Sequence, residues 1–419
     1  MTTGQGGCAG REHGVAAACD DPTKVRCGDS AQPGLARAIL HIGLEKTGTS
    51  SLQEFLQLNR ERLLERDQIW VPDFMGRGSQ WPLAVIAYDP SRCDDLTAPL
   101  GSPEARQCRL AEIAEQIRVS VQQQPARAYC FSSEHLSSRL TTPVELGRLR
   151  DFLLTLFDEI SLVLYLREPI RLAISRQSTF VKMGLGAFQL PTPQQLSDIF
   201  QFQTIIQRWQ SVFGGGLQVR LFDPSQPGFD LISDFAAAIG ITAIEAYRRP
   251  ERVNASLDWT CLRLLSHINQ LAIAQRGQPL PRAALQRLVP LLEGCSAASD
   301  RSHRAYVADA EVVAAYREHY ADQERWLLDR FFPGRPSLWH RPYTPPPAAA
   351  GAEGQTLAVT DGEDILCRLV VDQAISQAIP TAELLHCLDQ VAWKGEQGVP
   401  LNLYDQETCR ALAQSLRSL

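Results

Sequence analysis

The segment Ile39–Gln53 reads ILHIGLEKTGTSSLQ, in which an apolar run passes into a loop with two glycines and then into a series of hydroxyl side chains. Apolar residues then recur at helical spacing, at Leu52, Phe55 and Leu56. This order predicts a buried strand, a tight loop and the start of a helix. Because backbone N–H groups point into such a loop and the helix N-terminus adds partial positive charge, the segment predicts an anion-binding site.

The loop differs from the Walker A phosphate loop in the position of its lysine. The Walker pattern G-x-x-x-x-G-K-[ST] has its lysine directly after the second glycine. Gly43 and Gly48 have this spacing, but Thr49 follows Gly48, and Lys46 lies inside the loop. With Thr49 in place of the lysine, the lysine and hydroxyl pair with which P-loop kinases bind phosphate and Mg²⁺ is incomplete, which argues against a kinase.

Apolar runs alternate with amphipathic segments through the first half of the chain. Besides the opening strand, strands are predicted at 68–72, 126–131, 160–166 and 217–222, and helices at 82–88, 103–124, 143–157 and 194–213. Later segments are helical, at 229–239, 257–275, 281–292 and 308–332. Alternating strands and helices predict an α/β fold, a three-layer P-loop-type structure with a mainly parallel sheet flanked by helices.

Composition disfavours several classes of protein. The net charge of −6 argues against a protein that coats nucleic acid or an anionic membrane. The eleven cysteines are odd in number and form no C-x-x-C pair, which favours reduced thiols in the cytoplasm over a disulfide framework. No apolar run has the length of a membrane span, and no signal peptide is recognisable. We therefore expect a cytoplasmic protein without a nucleic-acid partner.

A second group of polar residues follows the most apolar predicted strand, 160–166. Arg167 comes directly after it, Pro169 suits the first turn of a helix, and Ser175 lies eight residues after the arginine. An arginine there offers a bidentate fork to a phosphate, and the serine offers a further hydrogen bond. Taken alone, Arg167 is better explained by pairing with Glu168 or another carboxylate. When Arg167 is considered together with the lysine-containing loop, phosphate binding becomes the favoured interpretation.

The two motifs together resemble those of sulfotransferases that use 3′-phosphoadenosine 5′-phosphosulfate (PAPS) as donor. The family's phosphosulfate loop reads approximately P-K-[ST]-G-T-[ST]-[ST], and this chain has EKTGTSS at Glu45–Ser51. Its 3′-phosphate signature is a strand followed by R-x-P, with a serine eight residues after the arginine, as at Arg167–Ser175. The sequence HIGLEKTGT with a later SSEH looks most like the bacterial sulfotransferase-like branch. The resemblance covers roughly residues 36–338.

The resemblance implies a role for each matching residue. Lys46 would stabilise the leaving phosphate, Thr47–Ser51 would bind the 5′-phosphate, and Arg167 with Ser175 would bind the 3′-phosphate. The implied donor-binding residues are Lys46, Thr47, Gly48, Thr49, Ser50, Ser51, Arg167 and Ser175. A sulfuryl group carries less negative charge than a phosphoryl group, so no metal is expected. Glu45 replaces the family's proline, and it should either point outwards or pair with a basic side chain.

Transfer to an acceptor hydroxyl needs a general base, and two candidates follow the predicted strand 126–131. These are Glu134 and His135, at a strand end where catalytic groups gather. Related enzymes use either a histidine or a glutamate, so the resemblance does not choose between them. For either residue taken singly, a structural role is as good an explanation as catalysis, namely a turn in which Glu134 caps the next segment. His41, inside the first strand, is expected to be a hydrogen-bonded core residue.

The chain is expected to comprise a disordered leader at 1–35, a sulfotransferase-like α/β domain at 36–341, a Pro/Ala/Gly linker at 342–356 and a small helical C-terminal appendage at 357–419. The predicted function is transfer of a sulfuryl group from PAPS to a hydroxyl of a carbohydrate or small-molecule acceptor. Two alternatives stay open, a non-catalytic sulfotransferase-like nucleotide-binding protein and, less favoured, a P-loop kinase. The acceptor and the oligomeric state are not predicted.

Overall fold

The structure, a computed structural model, describes residues 25–26, 37–72, 78–196, 200–251, 257–298 and 305–345. Most of the predicted leader lies outside these residues, as do the linker beyond residue 345 and the whole predicted C-terminal appendage. Within the described residues, no helix is both long enough and apolar enough to cross a bilayer.

Five parallel strands form the centre of the domain. They are β2 (Arg37–His41), β3 (Ile69–Trp70), β4 (Ala128–Ser132), β5 (Glu159–Leu166) and β6 (Leu217–Leu221). Their pairing gives the order β3-β4-β2-β5-β6. A two-residue strand, β1 (Val25–Arg26), pairs antiparallel with the beginning of β5. The predicted α/β fold with a mainly parallel sheet is confirmed.

Side chains of the central strands alternate between two apolar cores, one on each face of the sheet. Leu40 of β2 and Leu164 of β5 lie in one core, whereas Ile39 and Val163 lie in the other. Because both faces are buried, these strands are continuous apolar runs and not alternating ones. This explains why they could be recognised in the sequence.

Helices cover both faces of the sheet. In the described residues they are α1 (Thr49–Leu58), α2 (Arg60–Asp67), α3 (Pro82–Val85), α4 (Pro103–Gln123), α5 (His135–Arg139), α6 (Pro143–Leu154), α7 (Pro169–Lys182), α8 (Phe202–Phe213), α9 (Leu231–Ile239), α10 (Trp259–Arg276), α11 (Arg282–Ala298) and α12 (Ala310–Phe331). Helices α1, α2 and α9 pack on one face, and α4, α6, α8 and α12 on the other. The end of α7 packs with α10 and α11 in a third apolar cluster.

The helix predicted over 194–213 is shorter in the structure. Helix α8 begins at Phe202, and Pro193–Leu196 forms a separate 3-10 turn. The start of α8 is held by Gln323 of α12, whose amide donates to the Gln201 side chain at 2.9 Å and accepts from the Gln203 N–H at 3.4 Å. This contact satisfies an N–H group that a helix start leaves unpaired. Because Gln323 is so distant in the sequence, the local pattern of apolar residues could not predict where the helix begins.

Candidate functional site

The three polar segments that were predicted to carry chemistry lie at one edge of the sheet. Strand β2 lies between β4 and β5, with His41 opposite both Ser132 and Val163. Since all three strands are parallel, their carboxyl ends meet at the same edge, where ligands bind in such sheets. The loop after β2, the segment Ser132–His135 and the residues from Arg167 onward therefore surround one crevice.

The loop between β2 and α1 is folded around the backbone carbonyl of Leu44. The hydroxyl of Thr47 donates to this carbonyl at 2.6 Å and that of Thr49 at 3.1 Å, and both threonines are buried. Gly48 has a φ of +83° directly before α1. The two threonine hydroxyls therefore maintain the shape of the loop, while the first backbone N–H groups of α1, which have no partner within the helix, face outward from its start.

Lys46 points towards α7. Its Nζ donates to the hydroxyl of Thr179 at 2.7 Å, on the third turn of that helix. Burial lowers the pKa of Lys46, and the neighbouring cations Lys182 and Arg167 lower it further, whereas Glu45 and Glu134 act in the opposite direction. The lysine is thus enclosed between the loop, the helix and the ends of the strands.

Arg167 connects the second motif with the loop. Its Nη1 donates to the carbonyl of Lys46 at 2.8 Å, and its guanidinium lies 5.2 Å from the ring centre of Phe222. Its Nε is buried and has no hydrogen-bond partner among the described residues. Burial, with the charge of Arg171, lowers the pKa of Arg167 to about 10. A half-buried guanidinium with an unsatisfied donor is suited to bind an anion.

Ser175 lies two helical turns after Arg167 on α7. Its backbone carbonyl accepts a hydrogen bond from the Thr179 hydroxyl at 3.1 Å, so the two residues share one face of the helix. Ser175 is half-buried. The face of α7 that meets Lys46 thus also carries Ser175.

Glu45 pairs with a basic side chain, one of the two arrangements expected from sequence. Its Oε2 lies 3.8 Å from the Nε of Arg176 on α7. The Arg176 guanidinium also lies over the ring of Phe180, 4.2 Å from its centre. The ion pair ties the loop to α7 a second time, beside the contact between Lys46 and Thr179.

Glu134 and His135 lie at the end of β4, beside the loop. Glu134 accepts a hydrogen bond at 2.9 Å from the side-chain amide of Gln53, which belongs to α1. His135 is the first residue of α5, and its Nε2 lies 4.0 Å from the Glu134 carboxylate. His41, by contrast, is fully buried and bonded to the Ser132 hydroxyl at 2.8 Å, and burial lowers its pKa to about 3. His41 is therefore a neutral core residue, as expected.

Several side chains of this crevice were not identified from sequence. Gln53 could have been suspected from the sequence, because it is a polar residue on the face of α1 that is buried with Leu52 and Leu56. Thr179 could also have been suspected, because it lies one helical turn after Ser175. Phe222 could not have been identified from the sequence, because its position under Arg167 depends on the pairing of β5 with β6. Among the described residues, no group of three or more His, Cys, Asp and Glu side chains is arranged to hold a metal ion.

Replacing Gly43 by alanine is expected to destabilise the domain. Gly43 has a φ of +99°, and a Cβ there would lie 3.0 Å from the backbone Cα of Glu134. A side chain in this backbone region costs about 1–3 kcal/mol, which urea unfolding would measure. Gly147→Ala is the matched control, because Gly147 lies within α6 and a Cβ there would meet no atom within 4 Å, so this change should instead stabilise by roughly 0.5–1 kcal/mol. Equal effects of the two changes would contradict the described loop.

Comparison with solved structures shows similarity to a sulfotransferase from Alicyclobacillus acidocaldarius, with 16% sequence identity and a TM-score of 0.33. The match covers 62% of this chain and 100% of that one. No protein-family model matches the chain, and no curated protein matches it either. Similarity at this level carries no information about donor or acceptor, so the residues of the crevice have to support any functional conclusion.

Proposed function

We propose that this protein is a cytoplasmic sulfotransferase that moves a sulfuryl group from PAPS to a hydroxyl of a carbohydrate or small-molecule acceptor. The observation that carries the proposal is the 2.8 Å hydrogen bond from Arg167 to the carbonyl of Lys46. It joins the two motifs at one crevice, so that a single ligand with two anionic groups would meet both. PAPS carries a phosphosulfate on its 5′ side and a phosphate on its 3′ side.

The loop and α1 suit the 5′ side of such a donor. Gly48 packs so closely against its neighbours that a Cβ would lie 2.3 Å from a methyl carbon of Leu231 and 3.2 Å from the ring of Phe222. The Ser51 and Leu52 N–H groups donate to the Gly48 carbonyl at 2.9 and 3.2 Å, which leaves the backbone N–H groups of Thr49 and Ser50 without a partner inside α1. An anion at this helix start is stabilised by those N–H groups and by the helix dipole.

Arg167 and Ser175 suit the 3′ side. The half-buried guanidinium has an Nε without a hydrogen-bond partner among the described residues, and a phosphate is the ligand that such a planar fork binds best. A bound PAPS would supply the activated sulfuryl group. The side chains of this chain then position the donor, stabilise the charge that develops and accept the proton of the acceptor.

Lys46 is assigned to the leaving phosphate. When the bond between sulfur and the bridging oxygen breaks, negative charge collects on that oxygen, and a positioned ammonium group stabilises it. The contact with Thr179 holds the ammonium inside the crevice at 2.7 Å. We expect transfer to need no added metal ion, because the lysine provides the charge at this point.

A nucleotide-dependent kinase is disfavoured by the position of Thr49. This residue stands where Walker A has its lysine, and its hydroxyl is donated to the Leu44 carbonyl inside the loop. This position therefore supplies no ammonium group to the β- and γ-phosphates, which a P-loop kinase holds with the lysine of its Walker A motif.

Binding of the product nucleotide gives the most direct test of the donor site. Saturating 3′-phosphoadenosine 5′-phosphate (PAP), at about one hundred times its Kd, should stabilise the fold by about 2.7 kcal/mol. For a domain of this size we expect the melting temperature to rise by about 5 °C in differential scanning fluorimetry. Adenosine 5′-monophosphate, which lacks the 3′-phosphate, is the matched control and should give a much smaller rise. No rise with PAP, or equal rises with both nucleotides, would contradict the proposed donor.

A further inference from the structure

The side chain of Gln53 links the phosphate loop to the end of β4. It is 6% exposed, and its Nε2 donates to Oε2 of Glu134 at 2.9 Å and, at the longer distance of 3.4 Å, to the carbonyl of Ser132. Gln53 lies on α1, the helix that begins within the loop. One rigid element therefore carries both the anion-binding N–H groups and the amide that contacts the carboxylate.

The carboxylate of Glu134 has one anchored oxygen and one that is open to the crevice. Oε2 accepts from Gln53, whereas Oε1 lies 4.0 Å from the nearest basic atom, Nε2 of His135, which exceeds hydrogen-bond reach. The Glu134 side chain is 26% exposed, so a ligand can approach it. Its negative charge also acts on the half-buried ammonium of Lys46. Glu134 and Lys46 therefore face the same crevice from neighbouring strands.

His135 is held less well for proton transfer. Its backbone N–H is bonded to the hydroxyl of Ser133 at 3.3 Å, at the start of α5. Its Nδ1 is buried and has no hydrogen-bond partner among the described residues. A histidine base in an enzyme is normally oriented by a third group bonded to its second nitrogen. Within the described residues the carboxylate has such a partner, and this imidazole nitrogen does not.

We propose that Glu134, and not His135, is the general base of transfer, and that Gln53 is the residue that positions it. This proposal rests on the sulfotransferase function proposed above. Oε1 of Glu134 takes the proton of the acceptor hydroxyl as the acceptor oxygen forms its bond to sulfur. The bond between sulfur and the bridging oxygen breaks, and its electron pair stays on the 5′-phosphate of PAP, beside the ammonium of Lys46. Gln53 keeps Oε1 aimed at the acceptor.

A double-mutant cycle separates positioning from a general structural role. The measured quantity is the rate at which PAP forms from PAPS, determined by chromatography. The acceptors are a mixture of monosaccharides, aliphatic alcohols and phenols. Glu134→Gln should lower kcat by about 10²–10⁴-fold, the usual contribution of a general base. Gln53→Met, which keeps length and removes the donor, should lower kcat by about tenfold to a hundredfold through misplacement of the carboxylate. The double variant should be no slower than Glu134→Gln alone.

Two control variants and one binding measurement complete the experiment. Gln57→Met makes the same change one turn further along α1 and should leave kcat unchanged, and His135→Ala should change it by less than about threefold. Neither Gln53 nor Glu134 is assigned to the donor phosphates, so PAP should raise the melting temperature of their variants as much as that of the wild type. Should Gln53→Met fail to fold, Glu134→Asp draws the carboxylate away from Gln53 and should lower kcat by about tenfold with an unchanged KM for PAPS.

The possible failures are distinguishable. If the double variant were slower than Glu134→Gln by the same factor by which Gln53→Met alone is slower than the wild type, the two effects would be independent. That result would overturn the positioning role of Gln53. Near-wild-type turnover of Glu134→Gln together with slow turnover of His135→Ala would overturn the choice of base. A wild-type protein that binds PAP but forms none from PAPS would overturn transfer itself, and with it this proposal. Absence of PAP binding would contradict the donor site.

Discussion

Lys46→Met is expected to lower the rate of PAP formation from PAPS by at least about 10²–10³-fold. Removing a single preorganised group that stabilises transition-state charge has this effect in other enzymes. Methionine keeps the apolar stem of the lysine and removes only the ammonium, which bonds Thr179 at 2.7 Å in the structure. The measurement is kcat by chromatography of PAP, with melting temperatures to establish that the fold is intact.

Lys182→Met is the matched control for this prediction. Lys182 lies at the end of α7 and forms an ion pair with Glu293 at 2.7 Å. The control variant should retain its kcat within about fivefold, because it removes a nearby lysine without removing the one assigned to the leaving group. If both substitutions slowed the reaction equally, general loss of positive charge would explain the effect, and the specific role of Lys46 would be wrong.

Arg167→Lys is expected to raise the Kd for PAP by about 30- to 1,000-fold, which corresponds to about 2–4 kcal/mol. Lysine preserves the charge but cannot form the planar, bidentate fork with which an arginine binds a phosphate. The Kd for adenosine 5′-monophosphate should change far less. The variant should therefore lose most of the preference for the nucleotide with a 3′-phosphate, which isothermal titration calorimetry would measure.

Arg171→Lys is the control for Arg167→Lys. Arg171 lies in the first turn of α7 and is bonded to Glu168 at 2.6 Å, with its guanidinium over the ring of Tyr343. It is not assigned to the donor, so both nucleotides should bind the control as they bind the wild type. If Arg167→Lys weakened both nucleotides by the same factor, Arg167 would stabilise the crevice as a whole and would not recognise the 3′-phosphate.

The parts of the site that could be predicted from sequence are those built from residues close together in the chain. The displaced Lys46 and the serine eight residues after Arg167 are visible as spacings, because a strand, a loop and a helix start are local structures. The contact of Gln53 with Glu134 joins residues 81 positions apart, and that of Lys46 with Thr179 joins residues 133 positions apart. Neither contact leaves a periodic signal. The assigned roles of these residues stay predictions until the experiments above are done.

Local patterns of apolar and polar residues were sufficient to predict the α/β class and the strand, loop and helix start at Ile39–Gln53, since burial of both sheet faces requires continuous apolar strands and flanking amphipathic helices. They could not give the strand order β3-β4-β2-β5-β6, which brings Lys46, Glu134 and Arg167 to one crevice. Strand order follows from how helices pack across the sheet, and many orders satisfy the same local pattern. The choice between Glu134 and His135 likewise depended on Gln53, which reaches the carboxylate only after α1 has packed beside β4.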